Sequence, residues 1–65
     1  MEIILNGDPH SIEQSCTIES LIVSLGLDGK FAIEINKSII PRSEYPSTRL
    51  HADDNIEIVN AIGGG

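Results

Sequence analysis

A chain of 65 residues has room for one domain and lies near the lower limit for folding without disulfides or metal. Its 40% apolar and 22% charged residues suit a globular protein, while two aromatics, Phe31 and Tyr45, are too few for a base-stacking platform. A formal net charge of −6 argues against nucleic acid or an anionic membrane as partner, and for a basic docking face on another protein.

Residues 1–5 alternate as a strand, with Met1, Ile3 and Leu5 on one face and Glu2 and Ile4 on the other. Asn6-Gly7 signals a hairpin, since both residues tolerate positive φ. Asp8-Pro9 is expected to extend the turn, and residues 10–14 to form the return strand. Thr17 is a good N-cap, with Glu19 in the first turn where the helix dipole favours an anion. Ile18, Leu21, Ile22 and Leu25 then recur at i, i+3, i+4 and i+7, one face of a helix. Gly26 sits where a left-handed residue ends such a helix, and Leu27 supplies the apolar residue that often follows.

Asp28-Gly29-Lys30 reads as a turn. Phe31, Ile33 and Ile35 alternate with Ala32 and Glu34 as a strand with one core face. Asn36-Lys37 makes a second turn before a short strand over residues 38–40. Residues 41–46 are expected to be irregular, because Pro41 and Pro46 lack backbone donors. Leu50 anchors the next stretch, Asp53-Asp54-Asn55 turns, and residues 56–61 form the last strand. Ile56 and Ile58 share one face of it, Glu57 and Val59 the other. This order suits an α+β domain over residues 1–61, a mixed sheet of four to five strands folded over one helix. The long crossover allows the first and last strands to pair in parallel.

Residues 62–65 read as a glycine-rich tail. After Ile62 the sequence runs Gly63-Gly64-Gly65. One reading is a frayed terminus. The other is access, because a strand without side chains threads a narrow channel, and four extended residues reach roughly 13 Å beyond a folded body. The carboxylate of Gly65 would have no Cβ beside it to hinder attack. A carboxylate is a poor electrophile and must first become a mixed anhydride, usually an acyl-adenylate made from ATP. A partner enzyme would supply the cations and Mg²⁺ for that step.

Several segments together resemble the sulfur carrier proteins of thiamine biosynthesis, members of the ubiquitin-like β-grasp group. They are Asn6-Gly7 after a Met1-led strand, Leu21-Ile22-Val23-Ser24-Leu25-Gly26-Leu27-Asp28, Phe31-Ala32-Ile33-Glu34-Ile35-Asn36, Ile40-Pro41-Arg42-Ser43-Glu44-Tyr45, Ile56-Glu57-Ile58-Val59 and the terminal glycines. The specific pair is Pro41-Arg42-Ser43-Glu44-Tyr45 with the glycine terminus. The resemblance implies a ubiquitin-like β-grasp fold and a carrier role rather than an enzyme. An E1-like adenylyltransferase would activate Gly65 with ATP, sulfur from a persulfide donor would convert it to a thiocarboxylate, and thiazole synthase would take that sulfur. The family usually has Asp-Gly in the turn before the last strand, where this chain has Ala52-Asp53. Alternatives of the same fold are the small subunit of molybdopterin synthase and a protein modifier conjugated to lysines.

Cys16 is the only cysteine, which suits a reducing cytoplasm and leaves no disulfide framework. It reads either as a small buried residue or, preceding a helix, as a sulfur relay. The start of the chain has no basic leader, and no segment has the length of a membrane span, so a cytoplasmic protein is expected. His10, Cys16 and His51 lack zinc-ligand spacing, so neither a metal nor a resident cofactor is expected. Arg42 and Ser43 are expected to satisfy loop hydrogen bonds or to contact a partner. Ile4 and Val59, outward-facing on the first and last strands, are expected to form an apolar docking patch leading through Ile62 to the tail. The free carrier is expected to be a monomer.

Overall fold

The structure, a computed structural model, describes residues 1–60, Asn60 by its backbone alone. In chain order it contains β1 (Glu2–Leu5), β2 (Asp8–Ser11), α1 (Ile18–Leu25), β3 (Phe31–Ile35), β4 (Ser38–Ile40), a 3-10 turn (Arg42–Glu44) and β5 (Asn55–Asn60). The five strands form one sheet in the order β2-β1-β5-β3-β4. β1 and β5 pair in parallel at its centre, and every other pairing is antiparallel. This is the expected α+β architecture with one helix, and the strand number is five.

Both hairpins close through two residues of positive φ, Asn6 (49°) with Gly7 (89°) and Asn36 (50°) with Lys37 (74°). That backbone twist matches the twist of the flanking strands. The first hairpin closes sooner than the sequence suggests. Leu5 pairs directly with Asp8, so Asp8-Pro9 belongs to β2 and the return strand covers Asp8–Ser11 instead of residues 10–14. Pro9 is accommodated because β2 is an edge strand. Antiparallel alternation also puts the Ile4–Pro9 pair at a position without ladder hydrogen bonds.

α1 is short and capped at both ends. Thr17 has extended backbone, and its Oγ1 accepts from the Ser20 amide at 3.1 Å. Gly26 (φ 67°) ends the helix in the left-handed region, and the amides of Gly26 and Leu27 donate to the carbonyls of Val23 and Ile22. The segment after β4 is more regular than expected. Pro41, at φ −63°, starts a single 3-10 turn, in which Glu44 and Tyr45 donate to the carbonyls of Pro41 and Arg42. β5 begins at Asn55, one residue earlier than the sequence suggests.

The helix and the inner face of the sheet enclose the core. Ile3, Ile18, Leu21, Ile33 and Ile56 are fully buried, with Tyr45 and Leu50 nearly so. Each such side chain contributes about 1.5–3 kcal/mol by leaving water. Leu5, Ile22, Leu25, Phe31, Ile35 and Ile58 pack around them half-buried. Every helix position and inner strand position predicted from periodicity thus faces this core or its margin.

Candidate functional site

β5 carries the chain towards the glycine terminus. Among the expected site residues, Ile62, Gly63, Gly64 and Gly65 lie outside the described residues. The strand that leads to them is fastened on two sides. On one edge the Asn6 amide donates to the Ile56 carbonyl at 2.9 Å, and the Ile58 amide donates to Asn6 Oδ1 at 2.8 Å. The main chain turns away at Asn6, so its side-chain carbonyl supplies the acceptor that a longer β1 would have provided. On the other edge β3 pairs with β5 to its end, Ala32 with Val59 and Phe31 with Asn60.

Arg42 sits beside this end of the sheet. Its guanidinium carbon lies 5.7 Å from the centroid of the Phe31 ring, which stacks on Tyr45 at 6.4 Å with 8° between the planes. Arg42 is exposed, so its charge is held in a fixed place and remains open to solvent. The loop hydrogen bonds expected of it come instead from Ser47 and Thr48, whose hydroxyls both donate to the Glu44 carbonyl.

The outer face of the sheet differs from the expected Ile4–Val59 patch. β1 and β5 are neighbours, as that patch requires. Ile4, however, lies opposite Asn55, four residues before Val59. At about 3.3 Å per residue the two are separated by roughly 13 Å along the strand. Ile4 is only half-exposed, whereas Val59 is 56% exposed. Between them stands Glu57, directly opposite Glu34 of β3, and Glu34 in turn faces Ile39 of β4, which is 70% exposed. Sequence reading placed Glu34 and Glu57 on outward faces, but only the register reveals them as a cross-strand pair.

The largest hollow is an open groove of about 690 Å³ bordered by His10, Glu13, Cys16, Ser20 and Ser24. Cys16 is half-buried there, and its thiol donates to the Thr17 carbonyl at 3.4 Å. Burial, and after it the Glu13 carboxylate, push the Cys16 thiol up from its ordinary range. That is the opposite of the activation a sulfur relay needs. The nearby helix N-terminus is also occupied. The amides of Ile18, Glu19, Ser20 and Leu21 donate to the Thr48 carbonyl, the Tyr45 carbonyl, Thr17 Oγ1 and the Thr17 carbonyl.

The chain is similar to known proteins over nearly its whole length. The ThiS family profile matches residues 3–65. The sulfur carrier protein ThiS of Bacillus subtilis is 44% identical over 63 residues, covering 94% of this chain and 96% of that protein. A protein named thiazole synthase from Magnetococcus marinus is 46% identical over 66 residues, covering all of this chain. This chain spans 20% of the length of that protein, and the same share of a second thiazole synthase, from Paramagnetospirillum magneticum, at 39% identity. Among solved structures, the thiamine biosynthesis protein ThiS of Geobacter metallireducens superposes with a TM-score of 0.87 over 100% of both chains at 23% identity, a likeness of fold. The ubiquitin-like β-grasp sheet, the family profile and the Bacillus relative agree, and the chain belongs to the ThiS family.

Proposed function

We propose that this chain is a sulfur carrier of thiamine biosynthesis, working through the carboxylate of Gly65. The observation that carries the reading is the match to the ThiS family through the terminal glycines, which follow the doubly fastened strand β5. An adenylating enzyme, using its own Mg²⁺ and ATP, converts the carboxylate to an acyl-adenylate and releases pyrophosphate. A persulfide attacks the acyl carbon and expels AMP, leaving an acyl persulfide. A second thiol then cleaves the S–S bond, so that the terminal sulfur stays on Gly65 as a thiocarboxylate and the two thiols leave as a disulfide. The thiocarboxylate is ionised at neutral pH and is a soft nucleophile, suited to giving sulfur to a thiazole synthase.

The carrier's part is positional. It holds the strand, offers a surface to its partners, and leaves catalysis to them. The carrier is a free monomer in the cytoplasm, binds no metal or cofactor of its own, and presents Val59 and Arg42 near the tail as contacts. Intact mass spectrometry of the protein from its own cells tests the reading. Exchange of one terminal oxygen for sulfur is the expected result. Free carboxylate alone, even after incubation with the adenylating enzyme, ATP and a persulfide donor, would sink it. An isopeptide bond to lysine would point to a protein modifier instead.

A further inference from the structure

Two carboxylates stand side by side on the exposed face of the sheet, and the fold offers them no counter-charge. Glu34 and Glu57 are directly opposite in the antiparallel β3–β5 pair. Like charges at directly opposed positions destabilise a sheet, and a small domain has little stability to spare. Among the described residues, the single approach of a cation to a carboxylate within 4.0 Å is His51 to Asp54, at 3.8 Å in the turn before β5. The pair is also not a plain acidic surface. Ile39, beside Glu34 on β4, is 70% exposed, and Val59, two residues beyond Glu57, is 56% exposed.

We propose that this face, centred on the Glu34–Glu57 pair, is where the adenylating protein docks, with a cationic side chain set among apolar groups meeting both carboxylates. This rests on the carrier reading and deepens it. Cross-strand neighbours stand about 5 Å apart, a spacing that one guanidinium can bridge with two charge-assisted hydrogen bonds. Ile39 and Val59 would exclude water around that contact and so strengthen it. Position also commits the face to this partner. Gly65 is six residues beyond Val59, about 20 Å of extended chain at most, so a protein enclosing Gly65 must come close to this end of the sheet. A second copy of the chain is disfavoured as occupant, since two copies each carrying −6 would bring four glutamates together.

The test is ATP–pyrophosphate exchange by the adenylating enzyme of the same organism, with the full-length carrier varied in concentration and in salt. Carriers compared are wild type, E34Q/E57Q, and E13Q/E19Q, which removes the same charge at exposed sites away from this face. The E34Q/E57Q carrier is expected to raise KM by about tenfold at unchanged kcat and to flatten its dependence on salt, while E13Q/E19Q stays within about twofold. Its melting temperature is expected to equal or exceed that of wild type, because repulsion is relieved. Equal effects of the two double variants would reduce the pair to a share of net charge and overturn the inference. So would an unchanged KM in E34Q/E57Q, a loss of its thermal stability, or a normal KM in V59D. A wild-type carrier that is never adenylated fails the carrier reading itself, before any variant is compared.

Discussion

Asp53 shows how one residue can depart from a family pattern without losing the turn. It adopts φ 69° and donates its amide to the Glu2 carbonyl at 2.8 Å. The turn is held from its neighbours. Asp54 accepts from the His51 amide at 2.8 Å and from Asn36 Nδ2 at 3.1 Å, and Asn36 Oδ1 accepts from the Asn55 amide. These bonds tie the turn before β5 to the β3–β4 hairpin and impose the left-handed conformation on Asp53. That conformation costs an L-residue energy that glycine avoids, although glycine loses more entropy on folding. Asp53→Gly is therefore expected to stabilise the domain by roughly 0.5 kcal/mol net, read as a slightly higher urea midpoint at constant slope. Cys16 gives a second check at this scale. With its thiol pushed up by burial and by Glu13, it should react with iodoacetamide more slowly than free cysteine at pH 8. The rate should climb further at higher pH, where the buried thiol finally ionises, and urea should restore the free-cysteine rate. Labelling of the folded protein as fast as free cysteine would contradict this.

At the scale of elements, α1 was legible in the sequence almost to the residue. Its signals are local: Thr17 at the start, apolar residues at helical spacing, Gly26 at the end. The strength of the N-terminal cap can be measured. Thr17→Ala removes the acceptor for the Ser20 amide and is expected to cost about 1 kcal/mol in chemical denaturation. Amide exchange at Ile18 and Glu19 should remain slower than at Ser20 in that variant, because the carbonyls of Thr48 and Tyr45 still hold them. Those two bonds also explain what sequence reading missed between Pro41 and Pro46. That segment is shaped by the helix it caps, and nothing within the segment announces the contact. Pro9 is a similar case. Local chemistry marks it as a turn residue, and only its place on an edge strand lets it join β2.

For the molecule as a whole, the core and the working end occupy different parts of the chain. All seven buried core residues lie between Ile3 and Ile56. Removing residues 62–65 is therefore expected to leave the melting temperature within about 2 °C of the full chain, while abolishing sulfur loading. A large fall in stability would show instead that those residues carry part of the fold. Alternation and helical spacing alone determined the number and kind of elements, the inner and outer faces of the strands, and the candidate chemistry of Gly65, because these depend on residues a few positions apart. Tertiary structure alone decided the register. It separated Ile4 from Val59, brought Glu34 opposite Glu57, and laid Arg42 over Phe31. Each of those outcomes depends on how segments distant in sequence slide against one another, and that is settled by burying the whole core at once.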